Sequence, residues 1–393
     1  MGEKQAMKKL SIVTATRAEY GILRPLICKS LQNDLWQTQL VVTGTHLDEA
    51  FGNTYLEIEQ DGIPIYKKIP ITESGDDAYA VSRMMANALC GFAAYFKEER
   101  PDFVVLLGDR TELLGIASAA MNERIPIVHL HGGELTQGAV DECVRHALTK
   151  MSYLHFTAAE EYRKRVIQMG EAPERVYFTG ALGVENILSE KLLTREELQE
   201  SVGFSTAQPY AVVTFHPVTL EQETGEQQMQ ELLAAMRQRK DLFFLITKAN
   251  SDAGGRRLND ILERETINSE NMKLVASLGM KRYLSAVKYA KFVLGNSSSG
   301  IIEAPALHVP TVNIGDRQQG RIMAESIICC EPTCSDIMTA MEQALVMSKR
   351  IETEGYPYEN LYGDGHTSEK MIEILEKYMR SDTIDLKKKF WQV

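Results

Sequence analysis

The chain has 393 residues, of which 43 are Lys or Arg and 54 are Asp or Glu, so its formal net charge is -11. This acidic excess argues against a nucleic acid or an anionic membrane surface as a partner. With 44% hydrophobic and 25% charged residues, the composition is that of a globular protein with large cores. The length predicts two domains.

The residue pattern also argues against a membrane-spanning, secreted, disulfide-rich or zinc-binding protein. No run approaches the roughly 20 apolar residues that span a bilayer, and the start of the chain lacks the apolar core of a secretory signal, so a cytoplasmic protein is expected. Six cysteines are too few for a disulfide framework in a chain of this length. Cys329, Cys330 and Cys334 have no nearby His to complete a zinc site, so no metal is expected.

The first half of the chain alternates short apolar runs with amphipathic stretches. The predicted strands are residues 9–14, 40–43, 103–107 and 127–130. Because runs such as 103–107 are apolar throughout rather than alternating, they suit parallel strands covered by helices on both faces. The pattern predicts a doubly wound α/β domain over residues 7–182.

The same rhythm restarts after residue 182. The predicted strands are 210–215, 242–247, 272–276, 292–294 and 311–314, with helical segments near 194–200, 227–239, 258–265 and 282–290. A second domain is therefore expected over residues 183–365, and a C-terminal helix in 366–393 is expected to join the first domain. Two Rossmann-like α/β domains facing a central cleft are predicted, with ligands beyond the carboxyl ends of the strands.

In the second domain, the loops that follow strands carry small and cationic residues. Residues 295–300 lead into a helix predicted to begin near Ile301, where free N–H groups and Ser hydroxyls suit a phosphate, although a capped turn without ligand fits equally well. In residues 313–321, Arg317 and Arg321 supply guanidinium groups for a diphosphate. Glu303 could accept hydrogen bonds from a ribose or simply stabilise the first helical turn. His216 could be structural, bind phosphate, or protonate a leaving group.

In the first domain, residues 14–21 lack the G-x-G-x-x-G pattern, which argues against a dinucleotide cofactor and leaves Arg17 to bind a substrate phosphate.

Two neighbouring strands of the first domain end in acidic and imidazole groups. Carboxylates on adjacent loops suit abstraction of a proton from a sugar carbon. For Asp109, the alternative is a strand-end ion pair with Arg110. The candidate acid/base residues are Asp109, His131, Glu134 and Asp141.

Taken together, these motifs resemble the hydrolysing UDP-N-acetylglucosamine 2-epimerases of bacterial sialic acid synthesis. The resemblance extends over nearly the whole chain through residues 16–21, 108–110, 131–134, 145–146, 215–217, 295–300 and 313–321. It implies a glycosyltransferase-B-like fold and conversion of UDP-N-acetylglucosamine and water to N-acetylmannosamine and UDP. In that chemistry the C2 proton is removed, UDP leaves by anti elimination to give 2-acetamidoglucal, and water adds with inversion at C2. No cofactor is implied.

The resemblance also assigns roles to individual positions. Asp109 and Asp141 correspond to acid/base residues. The animal enzymes have Glu where this chain has His131, so His131 or Glu134 takes that proton role. The segment near Leu278 resembles the one that brackets uracil. The remaining nucleotide or substrate contacts it implies are Arg17, Arg110, Arg145, His146, His216, Asn250, Ser297, Ser298, Glu303 and Arg317.

Several alternatives remain open at this stage. Ala18 and Thr45 depart from the pattern of the non-hydrolysing branch, which favours hydrolysis. The substrate could instead be a nucleotide-linked 2,4-diacetamido-2,4,6-trideoxyhexose of the legionaminic acid route. A sugar transferase on the same scaffold and a non-catalytic nucleotide-sugar sensor are the other hypotheses. Because related enzymes form dimers or tetramers, a homo-oligomer is expected.

Overall fold

The chain divides into two compact units. The structure, a computed structural model, describes residues 7–73, 77–135, 140–217, 225–249, 255–381 and 384–392, and residues 50, 255 and 256 by their backbone alone. The first unit comprises the chain up to Glu134, Val140–Asn186 and the segment from Tyr362 onward, and the second comprises Ile187–Leu361. The sequence had placed the division after residues 182 and 365.

The first unit is built on a parallel sheet of seven strands in the order β3-β2-β1-β4-β5-β6-β7. Residues of β4 alternate between two apolar cores, with Phe103 and Val105 in one and Val104 and Leu106 in the other. Both faces are therefore covered, which explains why the run has no polar alternation. The strands are β1 Lys8–Thr14, β2 Trp36–Thr43, β3 Lys67–Ile69, β4 Phe103–Leu107, β5 Ile127–Leu130, β6 Leu154–Thr157 and β7 Val176–Phe178.

Helices cover both faces of this sheet. The C-terminal helix buries Met371, Leu375 and Met379 in the same core as β1 and the first helix, and each fully buried side chain of this size contributes about 1.5–3 kcal/mol. The helices are α1 Arg17–Leu31, α2 Tyr55–Gln60, α3 Ala78–Glu99, α4 Glu112–Asn122, α5 Val140–Met151, α6 Glu160–Gln168 and α7 Leu182–Ser189, with α14 Thr367–Met379 at the C-terminal end.

The second unit repeats this arrangement with six parallel strands in the order β10-β9-β8-β11-β12-β13. Alternate residues of its central strand, Ala211 and Val213 against Tyr210 and Val212, enter two different cores. Its strands are β8 Tyr210–Thr214, β9 Phe243–Thr247, β10 Met272–Val275, β11 Phe292–Gly295, β12 Thr311–Ile314 and β13 Ile327–Cys330. Its helices are α8 Arg195–Val202, α9 Gly225–Gln238, α10 Gly255–Thr266, α11 Gly279–Tyr289, α12 Ser298–Ala306 and α13 Cys334–Glu354.

The prediction of two Rossmann-like α/β domains is confirmed, but the sequence analysis missed the strands β3, β6, β7 and β13. β3 and β7 have three residues each, which is too short for a periodic signal. β13 has four residues, of which two are cysteines. In β6, buried His155 and Thr157 interrupt the apolar run. None of the helices in the described part of the chain is both long enough and apolar enough to span a membrane.

Strand order reverses once in each sheet, between β1 and β4 in the first unit and between β8 and β11 in the second. In open parallel sheets, the crevice beyond the carboxyl ends of the strands at such a reversal is the usual ligand position. The loops that the sequence singled out, around Arg17 and Asp109 in one unit and His216 and Ser297 in the other, follow these four strands.

Candidate active site

At the end of β1, the turn into α1 is closed by a buried carboxylate. Thr16 caps α1 by accepting a hydrogen bond from the Glu19 amide, and Glu19 Oε2 accepts from the amides of Ala15 (2.7 Å) and Thr16 (3.1 Å). This reciprocal capping box satisfies N–H groups that the helix start leaves open. Arg17 points outward with 60% of its side chain exposed, and its Nε lies 3.0 Å from Glu57 Oε2.

The predicted phosphate-binding residue Arg110 lies among carboxylates of its own unit. Its Nε donates to Glu112 Oε1 at 2.7 Å. Desolvation lowers the pKa of Arg110, but the carboxylates of Glu112, Glu19 and Asp141 outweigh it and hold the pKa above its usual value. Asp141, in the first turn of α5, is thus one of the carboxylates that act electrostatically on Arg110. The sequence motifs assigned no individual role to Glu19 or Glu112.

The predicted acid/base residues after β4 and β5 form one network around Arg145. The guanidinium of Arg145, on α5, donates to Asp109 through Nη2, and its Nη1 lies 3.6 Å from Glu134 Oε2. Glu134 Oε1 lies 3.1 Å from His131 Nδ1. Only 5% of the Arg145 side chain is exposed, against 23% for Asp109. Arg145 therefore organises the carboxylates, a role that the sequence had not separated from substrate binding.

The backbone of the loop after β5 is shaped for this network. His131 adopts a left-handed conformation with φ +63°, which is uncommon for a residue with a side chain. Gly133 has φ +81°, and a Cβ there would lie 2.5 Å from the carbonyl oxygen of Tyr162.

His146, a predicted substrate contact, lies one turn after Glu142 on α5. The distance between His146 Nε2 and Glu142 Oε1 is 3.6 Å.

In the second unit, Asn296 organises the loops at the ends of β8 and β11. Its side chain exchanges two hydrogen bonds with the backbone of His216, at 2.7 and 2.8 Å. The backbone carbonyl oxygen of Asn296 accepts hydrogen bonds from Arg317 Nη1 (3.1 Å) and from Gln318 Nε2 (2.8 Å). Gly295 permits this approach, because a Cβ there would lie 2.0 Å from the Thr214 carbonyl oxygen. His216 and Arg317 are thus brought to one sheet edge by a residue that sequence reasoning missed.

The Ser-rich turn leads directly into α12. Ser297 is the N-cap and its side chain accepts from the Ser299 amide at 3.3 Å, while Ser298 is the first helical residue. The helix begins at Ser298 rather than near Ile301 as predicted, so Glu303 falls in the second turn and the first-turn alternative for it is wrong. Burial raises the pKa of Glu303, and its hydrogen bond from Ser299 offsets this only in part.

Two other predicted contacts have different outcomes. Leu278 is a buried residue at the N-cap of α11, and its carbonyl oxygen accepts from Arg282 Nε at 2.7 Å. Asn250 lies outside the described residues. Among the residues that are described, no three side chains of His, Cys, Asp or Glu come together as a metal site.

A family comparison agrees with this arrangement of motifs. The family model described as UDP-N-acetylglucosamine 2-epimerase matches residues 29–376. The chain belongs to the UDP-N-acetylglucosamine 2-epimerase family. The UDP-N-acetylglucosamine 2-epimerase family is therefore confirmed, whereas the hydrolysing sialic acid branch that the motifs suggested stays a prediction.

Two of three similar relatives are named for N,N'-diacetylbacillosamine, and the third is named for polysialic acid biosynthesis. The GDP/UDP-N,N'-diacetylbacillosamine 2-epimerase (hydrolyzing) of Campylobacter jejuni is 40% identical over 96% of this chain and 97% of its own length. The UDP-N,N'-diacetylbacillosamine 2-epimerase (hydrolyzing) of Legionella pneumophila is 35% identical over 94% of this chain and 96% of its own. The polysialic acid biosynthesis protein P7 of Escherichia coli is 42% identical over 82% of each chain.

Solved structures of the UDP-N-acetylglucosamine 2-epimerase family share the fold. The Neisseria meningitidis UDP-GlcNAc 2-epimerase, solved bound to UDP-GlcNAc, superposes with a TM-score of 0.80 at 17% identity over 94% of this chain and 100% of that one. This chain therefore has the glycosyltransferase-B-like architecture that the motifs implied.

Proposed function

We propose that this family member hydrolyses a nucleotide-linked 2-acetamido sugar with inversion at C2, releasing the nucleoside diphosphate and the free 2-epimer. The observation that carries the proposal is the Asp109–Arg145–Glu134–His131 network in the first unit. It offers groups that can take and return a proton, held by a buried cation. The hydrolysing relatives support cleavage of the sugar–diphosphate bond.

The proposed chemistry has two stages. A base takes the C2 proton while the C1–O bond breaks and its electron pair leaves with the diphosphate, giving a 2-acetamidoglucal. Water then adds at C1, and a proton is delivered to the opposite face of C2. Asp109, paired with Arg145, is a carboxylate suited to the first proton.

His131 is the candidate for the second proton transfer. The Glu134 carboxylate lies 3.1 Å from His131 Nδ1 without hydrogen-bond geometry, and its negative charge favours a proton on that nitrogen. His131 Nε2 then carries the lone pair, and it is buried without a hydrogen-bond partner among the described residues. A histidine oriented by a carboxylate in this way can exchange a proton with a reacting group.

The second unit is proposed to hold the uridine diphosphate. Support comes from the helix dipole at the start of α12, the hydroxyls of Ser297 and Ser298, and the Arg317 side chain beside Asn296. Arg17 and Arg110, which pair with Glu57 and Glu112 in the first unit, stay predicted phosphate contacts.

For the substrate we place the UDP-linked 2,4-diacetamido-2,4,6-trideoxyhexose first. Relatives named for N,N'-diacetylbacillosamine match nearly the full length of this chain at 40% and 35% identity. UDP-N-acetylglucosamine, which the sequence motifs favoured, is the second candidate. The 42% identity to a polysialic acid biosynthesis protein supports it.

Incubating the purified chain with each substrate in D₂O tests the proposal. We expect UDP and a free sugar with deuterium at C2, identified by NMR and mass spectrometry, and a higher kcat/KM for the diacetamido substrate. A UDP-linked epimer as product would contradict hydrolysis. Turnover that requires an added acceptor would indicate a transferase, and tight UDP binding with no turnover on either substrate would indicate a sensor.

A further inference from the structure

His129 is a buried histidine directly beneath the candidate acid/base network. It lies in β5 with 0% of its surface exposed. Its Nε2 is 2.8 Å from the carbonyl oxygen of Gly108, at the end of the neighbouring strand β4. Its Nδ1 is 3.4 Å from Thr149 Oγ1, on α5. One ring therefore links the three elements that carry Asp109, His131 and Arg145.

The surroundings of His129 determine its protonation and tautomer. A carbonyl oxygen can only accept, so the hydrogen must be on Nε2, which donates to Gly108. The pKa of His129 is lowered to about 3, mainly by burial and also by the nearby His155 and His131, while the Gly108 hydrogen bond and Glu134 act in the opposite direction. The ring is therefore neutral at physiological pH, and Nδ1 is an acceptor facing the Thr149 hydroxyl.

The Gly108 carbonyl belongs to the peptide bond that leads into Asp109. Gly108 has a left-handed backbone with φ +82°, and its own amide donates to the Leu130 carbonyl at 3.0 Å. The hydrogen bond from His129 fixes the other side of this residue. The hydrogen bond from His129 therefore acts on the peptide that leads into Asp109, and the Asp109 side chain accepts from Arg145.

His129 also supports the loop that carries His131 and Glu134. A Cβ on Gly132 would lie 3.0 Å from His129 Nδ1 and 3.1 Å from Thr149 Oγ1, so this loop packs directly on the ring. Thr149 Oγ1 lies 3.0 Å from the carbonyl oxygen of Arg145, one turn earlier on α5. The contacts form a closed circuit from His129 through Gly108, Asp109, Arg145 and Thr149 back to His129.

We propose that His129 is a positioning residue that aims Asp109 for proton transfer at C2, acting through its hydrogen bond to the Gly108 carbonyl. The inference rests on the proposed function, in which Asp109 is the base. It differs from a purely structural role in one respect: the Nε2 donor, and not only the buried ring volume, is required for turnover.

Two substitutions separate these roles. In His129→Gln, the amide nitrogen can occupy the position of Nε2 and donate to Gly108, whereas in His129→Asn it reaches only the position of Nδ1. We expect His129→Asn to lower kcat by about 10²-fold, as a misplaced group does, with KM and the UDP dissociation constant nearly unchanged. His129→Gln should recover most of kcat although both variants lose similar stability. Equal kcat in the two variants would overturn the proposal.

A double-mutant cycle with Asp109→Asn shows whether the effect passes through Asp109. We expect His129→Asn to cost less than about twofold in kcat once Asp109 is replaced, because coupled residues are not additive. A full additional loss would contradict the inference. Wild-type protein inactive on both substrates would refute the proposed function instead. In that case, the NMR shift of a ¹³C-labelled Asp109 carboxylate still tests the positioning: it should change in His129→Asn and return in His129→Gln, and an unchanged shift in both would overturn it.

Discussion

Asp109 is held by a cationic partner and keeps the partial access to solvent through which a substrate could reach it. Arg145 holds it from one side, and 23% of its side chain stays exposed. We predict that Asp109→Asn lowers kcat by about 10²-fold or more while UDP binding is retained, because an amide cannot accept the proton. Kinetics and calorimetric UDP titration measure both. Asp102→Asn, at the opposite end of β4 with Lys8 as partner, is the matched control and should keep wild-type kcat; unchanged turnover in Asp109→Asn would remove Asp109 from the mechanism.

Glu19 should make stability depend on pH. Burial raises its pKa from 4.5 to about 7, although Arg110 and the amides of Ala15 and Thr16 lower it. Because the folded state binds this proton more tightly than the unfolded chain, the stabilisation is complete below pH 4.5 and is lost as pH rises through 7.

Replacing Glu19 by Gln removes that loss. We predict that Glu19→Gln gains stability relative to wild type between pH 5 and pH 8, by up to about 3 kcal/mol. Urea unfolding at the two pH values measures the difference. The exposed Glu98→Gln on α3 is the control and should show no such trend. A pH-independent difference for Glu19→Gln would show that the carboxylate does not bind a proton on folding.

At the scale of elements, the loop between β5 and α5 depends on a close backbone approach. Gly133 combines φ +81° with contact to Tyr162, whereas Gly62 has φ +72° and open space around it. We predict that Gly62→Ala costs about 1 kcal/mol of unfolding free energy from backbone strain alone.

Gly133→Ala should cost clearly more than this, and it should also lower kcat because His131 and Glu134 must move with the loop. Thermal unfolding and kinetics of the two variants test the difference. Equal destabilisation, with turnover intact in both, would mean that the contact to Tyr162 relaxes without moving the loop.

At the scale of the whole molecule, ion pairs to a buried carboxylate connect the C-terminal segment with the rest of the first unit. The Glu171 carboxylate, 1% exposed, lies 2.6 Å from both Lys150 Nζ and Lys388 Nζ and 3.1 Å from His155 Nε2. Lys388 also donates to the carbonyl oxygens of Ser152 (2.6 Å) and Lys150 (2.9 Å). Residues more than 200 positions apart are thereby joined.

We predict that Lys388→Met lowers the free energy of unfolding by about 1–3 kcal/mol, since Glu171 and two carbonyls lose a charged donor. The loss stays moderate because Lys150 and His155 remain on Glu171. Lys387→Met, at an exposed neighbouring position, should change little. Denaturant unfolding of both variants measures the difference, and equal stability would mean that the Lys388 side chain contributes nothing to the free energy of unfolding.

The amino-acid sequence by itself determined the class of fold and the loops on which the candidate site lies. Uniformly apolar runs such as β4 identify strands covered on both faces, and polar breaks at their ends identify the ligand edge. These signals are local in the chain, so they can be recognised without a structure. Short strands such as β3 and β7 carry too few residues for the same recognition.

Only the tertiary structure decided which groups meet. Arg145 and Asp109 are 36 positions apart, and Asn296 is 80 positions from His216. Their pairing depends on which face of a helix turns inward and on left-handed turns at positions such as Gly108. Burial then decides protonation: the motif does not distinguish His129, neutral in the core, from His131, two residues further on at the site. The sequence specifies the chemical type of each side chain, but its hydrogen-bond partners and its access to solvent are determined only when distant segments pack together.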